Sequence, residues 1–297
     1  MSILVVGGTG TVGSHVVRGL LTKGEQVRVL IRSADRADAL PFGARAVMGD
    51  LRKPETLRWA MMGVDRVFLV TALSPMETEE GLAAVAAANR AGVRHLVYLS
   101  VHHAERAPHI LQLKSKVEIH KALRDSGMPF TLIMANDFFQ NDLLYRESLL
   151  EEGMYSHPIG DIGLNRVDVR DIADAVVTTL TQAGHEFLCY PLIGVEILTG
   201  LDVADIYSRS LGREIRYGGN DLEVWEKEAT STVPGWLVHD LKLLYEFYQR
   251  HGLRASEGDF VLQEKVLGRL PRSFHTFVRE TVTEWERDGA REHAKAV

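Results

Sequence analysis

Residues 3–13 read Ile3-Leu4-Val5-Val6-Gly7-Gly8-Thr9-Gly10-Thr11-Val12-Gly13. The first four are apolar and suit a strand buried on both faces. Glycines at 7, 10 and 13 permit a sharp turn, and residues 11–22 then carry Val12, Val16 and Leu20 at helical spacing ahead of Gly24. Strand, glycine turn and helix in that order bring backbone close to an anion. Gly13 lets the helix lie against the sheet, and the helix N-terminus offers N–H groups to a pyrophosphate. The inference rests on position, since the same glycines away from a strand–helix junction make an ordinary turn. Gly7, Thr9, Gly10, Thr11, Val12 and Gly13 are the candidate contacts.

Outward from this turn, residues 27–31, 46–48, 67–70, 96–99 and 130–134 form further short apolar runs. Helical patterns at 54–62, 81–91 and 113–125 separate them, with Pro54 in a first turn and Gly92 and Gly127 just past helix ends. The alternation predicts an α/β fold, a Rossmann-type doubly wound parallel sheet with a small C-terminal α/β lobe. After about Gly153 the rhythm changes. Asp171 reads as the N-cap of a helix over 172–180. Thr199-Gly200-Leu201-Asp202 resembles a capping box, with Asp in place of Glu, opening a helix that ends near Gly212. Residues 236–250 make an amphipathic helix whose Trp236, Tyr245, Phe247 and Tyr248 read as packing. The expected division is a nucleotide-binding domain over 1–152, its sheet completed by parts of 153–195, and a smaller, mostly helical lobe over 153–297. Residues 291–297 read as a frayed tail.

Composition narrows the function classes. With 297 residues, 45% hydrophobic and 25% charged, the chain can bury a large core. A formal net charge of -6 gives no electrostatic reason to expect nucleic acid. The single cysteine, Cys189, excludes an intramolecular disulfide and reads as a small buried residue suited to a reducing compartment. The apolar start is too short for a signal peptide, and no stretch is long enough to span a bilayer. The expected location is cytoplasmic, with no membrane partner and a homodimer allowed.

The end of the second strand selects between dinucleotides. An acidic residue there bonds a ribose 2′-hydroxyl, whereas an arginine suits a 2′-phosphate. The chain reads Val29-Leu30-Ile31-Arg32-Ser33, with Arg36 a turn further on. Arg32, helped by Ser33 and Arg36, therefore points to NADP(H) in preference to NAD(H). The alternative reading of Arg32 is a solvated residue at a strand end.

The spacing GxxGxxG, together with several further segments, resembles the NmrA-like branch of the atypical short-chain dehydrogenases/reductases. That group includes triphenylmethane reductase, NADPH quinone oxidoreductases and redox-sensing regulators. Beyond the glycine turn and Val29-Leu30-Ile31-Arg32, the matching residues are Lys116 and Ser126-Gly127-Met128-Pro129-Phe130-Thr131. They continue with Asp137-Phe138-Phe139-Gln140-Asn141, with Val167-Asp168-Val169-Arg170-Asp171-Ile172-Ala173-Asp174-Ala175, and with Gly268-Arg269-Leu270-Pro271-Arg272-Ser273-Phe274. The resemblance implies that Asp50 and Leu51 surround the adenine and that Thr71 and Ala72 pass the cofactor. Asp50 reads equally well as a cap for the next helix.

In typical short-chain dehydrogenases a Ser, a Tyr and a Lys four residues after the Tyr carry proton transfer. Here Ser100 fits the Ser position and Lys116 the Lys position, but Gln112 stands where the Tyr belongs. The resemblance therefore implies hydride transfer from NADPH to a small-molecule electrophile that needs little acid help, such as a quinone or a cationic dye. The other reading is a dinucleotide-sensing regulator that binds a protein partner without turnover; a sugar-nucleotide epimerase, whose chemistry leans on the missing Tyr, is disfavoured. Asn136, Phe138 and His102 are candidate substrate contacts, with Phe138 equally readable as core. Tyr98 reads as core, and Asp168 and Asp171 as turn or cap residues. His102, His103 and His109 lie in the loop after Ser100; their spacing matches no zinc pattern, so no metal is expected.

Overall fold

In the computed structural model, which describes residues 1–296, strand β1 (Ser2–Val6) is buried at every position. Such a strand needs partners on both edges. It has them in β2 (Gln26–Ile31) and β4 (Arg66–Leu69), both parallel to it. With β3 (Arg45–Met48), β5 (His95–Val101), β6 (Phe130–Ala135) and β8 (Leu188–Leu192), the sheet has seven strands in the order β3-β2-β1-β4-β5-β6-β8. All six pairings are parallel. The strand order reverses between β1 and β4. The crevice at the C-terminal ends of these two strands is therefore the topological switch point, where open α/β sheets take ligands.

Helices cover the sheet. Helix α1 (Thr11–Thr22) packs with α5 (Val169–Thr181), while α3 (Glu77–Arg90) packs with α2 (Pro54–Ala60) and α4 (Leu111–Ser126). On the second of these faces Leu4, Val67, Leu96 and Leu132 of the strands meet Leu57, Ala84, Ala88, Ile119 and Leu123 of the helices, all at most 1% exposed. Each large aliphatic side chain so buried contributes roughly 1.5–3 kcal/mol relative to exposure.

The sheet, these helices and α9 (Glu257–Leu267) form one compact unit, made of Met1–Ala135, Val169–Leu192 and Ser256–Leu270. Arg269 closes that unit on itself, donating to Asp171 at 2.7 Å and Asp174 at 2.5 Å. A second unit comprises Asn136–Asp168, Ile193–Ala255 and Pro271–Val297. It holds the short parallel pair β7 (Met154–Tyr155) and β9 (Arg216–Tyr217), with helices α6 (Gly200–Leu211), α7 (Leu222–Ala229), α8 (Gly235–His251) and α10 (Phe274–Ala296). At its centre Arg166 is 0% exposed. Its guanidinium donates to Asp137 at 2.7 Å, to Asp142 at 2.8 and 3.2 Å, and to the Phe138 carbonyl at 2.7 Å. Burial alone would raise the Asp142 pKa, but the Arg166 charge outweighs it and holds the carboxyl below the ordinary value.

Two local expectations are corrected. Helix α5 begins at Val169, so Asp171 lies inside its first turn and not at the N-cap position, and its carboxylate accepts from Arg269. Helix α10 runs on to Ala296 where a frayed tail was expected from Arg291; Val297 lies outside the described residues. The capping box at Thr199 and Asp202 is present in both directions. No helix among the described residues is long and apolar enough to cross a membrane.

Candidate functional site

The glycine turn follows β1 at the switch point. Gly7 has φ +79°, and a Cβ there would stand 2.5 Å from Val70 Cγ1. At Gly13 the constraint is tighter: a Cβ would stand 2.1 Å from the Gly7 carbonyl oxygen and 2.8 Å from Gly8 Cα. The Gly10 N–H donates to the Gly7 carbonyl at 3.0 Å, closing the turn. Gly10 is the N-cap of α1 and brings no capping side chain, and no acidic residue stands in the first helical turn. A helix terminus built this way offers its N–H groups and positive dipole end to an anion. Thr9, Gly10 and Thr11 are exposed, whereas Val12 and Gly13 are buried beneath them. The residues present fit a dinucleotide pyrophosphate.

Arg32 is exposed immediately beyond β2, and Arg36 is exposed in the short 3-10 turn Ala34–Arg36. Asp50 leaves the adjacent β3 half-buried. Its carboxylate accepts from the Arg52 backbone N–H at 3.0 Å and pairs with the Arg52 guanidinium at 3.3 Å, while Lys53 is the N-cap of α2. Burial works upward on Asp50, but bonds from Arg52 and the charges of Arg52 and Arg32 hold its pKa below the ordinary value. Arg52, unmarked in the sequence, is thus a further cation that acts on Asp50 together with Arg32. Leu51 is half-buried against the core, and Ala72 is exposed just past β4.

Lys116 sits in a network that residue spacing alone does not reveal. Gln112, Lys116 and His120 fall at four-residue intervals on α4 and so share one face. Lys116 Nζ donates to Thr71 Oγ1 at 3.1 Å and pairs with the Glu77 carboxylate. Thr71 Oγ1 in turn donates to Glu77 Oε1 at 2.6 Å and lies 3.5 Å from the Tyr98 hydroxyl. The Lys116 ammonium stands 5.5 Å from the centre of the Tyr98 ring. Glu77 is 1% exposed and Tyr98 0% exposed. Burial favours the neutral amine, yet Tyr98 and Glu77 outweigh it and raise the Lys116 pKa. The lysine is therefore a fixed cation at the ends of β4 and β5. Burial also raises the Tyr98 pKa, so its phenol stays protonated.

Ser100, at 2% exposure near the end of β5, places its hydroxyl 2.6 Å from His120 Nε2. His120 was not singled out by sequence, although its four-residue offset from Lys116 marks the same helix face. Burial, aided by the charges of Arg124 and Lys116, pushes the His120 pKa down to about 4. His95 at the start of β5 is likewise lowered to about 4, chiefly by burial and then by Arg66.

These two groups set a pH dependence. Below their ordinary value of about 6.5 the unfolded chain takes up protons that the folded chain refuses. Stability is thus full above about pH 6.5 and falls as the pH drops toward 4, by roughly 2 kcal/mol per histidine at pH 5. Urea midpoints at pH 7.5 and pH 5 should show this fall, and His120→Gln should reduce it. An equal fall in that variant would exclude His120 as a source.

The remaining candidates lie apart in their bonding. His102 is 2% exposed, with its ring 3.8 Å from that of His103, and His109 is exposed. Asn136 belongs to the second unit, where its amide donates to the Leu253 carbonyl at 2.8 Å and accepts from the Asp137 N–H at 2.7 Å. Phe138 is half-buried there, bridged to Val167. Asp168 in the same unit accepts from Gln140 at 3.0 Å. Tyr245 packs edge-on against Trp225 at 4.9 Å, an arrangement of core rings. Cys189 is half-buried on β8, and burial raises its thiol pKa.

The chain is similar to known proteins over nearly its whole length. The chain is 37% identical over 279 residues to NAD(P)H azoreductase of Xenophilus azovorans, covering 93% of this chain and 96% of that protein. It is 34% identical over 296 residues to (4-alkanoyl-5-oxo-2,5-dihydrofuran-3-yl)methyl phosphate reductase of Streptomyces griseus, covering 99% and 98%. Among solved structures, an NADPH-dependent quinone oxidoreductase of Escherichia coli superposes with TM-score 0.83 at 25% identity, covering 94% of this chain and 99% of that one. The NmrA-like family model matches residues 1–269. The chain belongs to the NmrA-like family.

Proposed function

We propose that this protein is an NADPH-dependent reductase of an aromatic or quinone-like small-molecule electrophile, acting without the tyrosine that short-chain dehydrogenases ordinarily use. The observation that carries the reading is Lys116. Its side chain is 11% exposed and its ammonium is held by Glu77 and Thr71, in the same unit as the glycine turn, with Gln112 one helical turn before it. The named reductases to which the chain is similar act on azo compounds, a butenolide phosphate and quinones, which supports an electron-poor acceptor.

When bound, NADPH supplies two electrons and a hydrogen from its C4–H bond to the acceptor, and a neutral acceptor takes its further proton from water. The chain's own residues do the rest. Gly7, Thr9, Gly10, Thr11, Val12 and Gly13 cradle the pyrophosphate, Arg32 and Arg36 meet the 2′-phosphate, and Asp50, Leu51, Thr71 and Ala72 border the adenosine and the passing cofactor. Lys116 holds the nicotinamide ribose from its fixed position and presents positive charge where electrons arrive. Ser100, turned onto neutral His120, holds a hydroxyl beside it. Asn136, Phe138 and His102 are the proposed acceptor contacts. Neither Gln112 nor the protonated Tyr98 offers a proton readily, which fits acceptors whose own electron deficiency drives the step.

The test combines cofactor choice with turnover. NADPH oxidation is followed with quinones, azo dyes and triarylmethane dyes, in the wild type and in Arg32→Asp. Turnover with NADPH is expected for at least one class. The variant should bind NADPH more weakly by roughly 10–100-fold, the worth of a charge-assisted phosphate contact, while NADH is little affected. Tight NADPH binding with no turnover on any class would replace this reading by a dinucleotide sensor.

A further inference from the structure

Beyond the dinucleotide cradle, the loop that leaves β5 carries a cluster built around His102, one of the proposed acceptor contacts, whose other members have no role in the reading above. His102 is 2% exposed, and neither of its ring nitrogens has a hydrogen-bond partner. A buried imidazole whose nitrogens make no hydrogen bond is costly and has room for a ligand. Its Nε2 faces Asp259 Oδ2 at 3.5 Å. Asp259 reaches this place because Ser256 caps α9, donating to the same carboxylate oxygen at 2.8 Å from both its N–H and its hydroxyl. His103 completes the group. Its backbone is left-handed, φ 57° and ψ 33°, which turns its ring onto His102 at 3.8 Å between centroids. Left-handed backbone at a residue other than glycine gathers at functional sites. His103 also pairs with Glu105 at 3.4 Å through Nδ1.

We propose that His102, His103 and Asp259 form a binding site for a divalent transition-metal ion of the zinc class, tying the loop after β5 to the start of α9. One donor atom from each residue lies within 4.8 Å of the others. Donors around a tetrahedral zinc stand about 3.3 Å apart, so a modest inward movement closes the site. The two outer ligands have room for it: the side chains of His103 and Asp259 are 33% and 15% exposed, which also opens a path from solvent. Two imidazoles and one carboxylate suit zinc, cobalt or nickel and are too nitrogen-rich for magnesium or calcium. Three protein ligands leave one position for water. No zinc pattern is legible in the sequence, because the third donor comes from a distant helix.

The site is tested on the full chain without a histidine tag, stripped with EDTA and titrated with zinc chloride in a calorimeter. One equivalent should bind with a dissociation constant in the micromolar range or tighter. Asp259→Asn, which retains an acceptor for Ser256, His103→Asn, which tolerates left-handed backbone, and His102→Ala should each weaken binding by at least about tenfold. His109→Ala, an exposed neighbour outside the cluster, should not. Cobalt chloride provides a readout independent of any variant: the wild-type chain should develop the visible absorption of a four-coordinate cobalt ion. Binding that is absent, that exceeds one weak equivalent, or that survives unchanged in all three ligand variants would overturn the assignment, as would a six-coordinate cobalt spectrum.

Discussion

Gly13→Ala is expected to remove NADPH binding and to lower stability in the same protein. The added Cβ would stand 2.1 Å from the Gly7 carbonyl oxygen, 2.7 Å from its carbon and 2.8 Å from Gly8 Cα. All three are backbone atoms of the turn, so no side chain can swing aside. Either α1 lifts off the sheet or the turn opens, and both displace the N–H groups offered to the pyrophosphate. Overpacking of this kind costs about 1–3 kcal/mol in stability. Loss of the cradle should weaken NADPH by more than about 100-fold, close to 2.7 kcal/mol. Gly10→Ala is the internal comparison, because its Cβ would meet only the Gly7 carbonyl oxygen, at 3.3 Å. Titration of NADPH by fluorescence and thermal unfolding of both variants measure the contrast. Equal affinities in the two variants would remove Gly13 from the cradle.

Lys116→Met separates the structural and chemical parts of the buried network. It leaves the Glu77 carboxylate, 1% exposed, without its cation. Removing one partner of a buried pair costs about 3–5 kcal/mol, because the remaining charge stays uncompensated. Adding Glu77→Gln to the same chain should restore most of that stability. Turnover should behave differently: kcat/KM for NADPH oxidation should fall about 100-fold in the single variant and stay low in the double one. Urea unfolding and steady-state kinetics on both variants distinguish the effects. Recovery of turnover together with stability would mean that Lys116 serves only to neutralise Glu77.

Much of the fold was legible because the phosphate turn and the strand–helix alternation are local signals. Residues 3–6, 27–31 and 130–134 became β1, β2 and β6 within a residue or so. The seventh strand, β8, falls within the 153–195 stretch expected to complete the sheet, but its bounds were hidden by Pro191, a residue that argues against a strand. It is tolerated because β8 lies at the edge and pairs only with β6, where Pro191 stands opposite Met134. Helix α9 was missed for another reason: Val261 and Leu262 are 56% and 38% exposed, so its apolar residues draw no clear stripe.

The site was legible in part. Gly7 to Gly13, Arg32 and Lys116 could be named from motif and spacing. Glu77 could not, because it opens the acidic run Glu77-Thr78-Glu79-Glu80, which reads as a solvated first turn. Only the folded chain shows that Glu77 turns inward to Lys116. Tyr98 read as core and is buried, yet its hydroxyl faces Thr71 and its ring faces Lys116. Ser100 was placed by its strand, but its partner His120 required the helix face of Lys116 to be followed one turn further.

The proposed reaction moves a hydrogen with its electron pair from NADPH to an electron-poor acceptor. The direct measurement uses NADPH carrying deuterium at the transferable C4 position and a cationic triarylmethane dye, whose central carbon keeps what it receives. The reduced dye should be heavier by the mass of one deuterium in place of hydrogen, in amounts that match the cofactor oxidised, and should lose that product in Lys116→Met. NADPH bound tightly with no labelled dye formed, or dye reduced without the label, would contradict direct transfer.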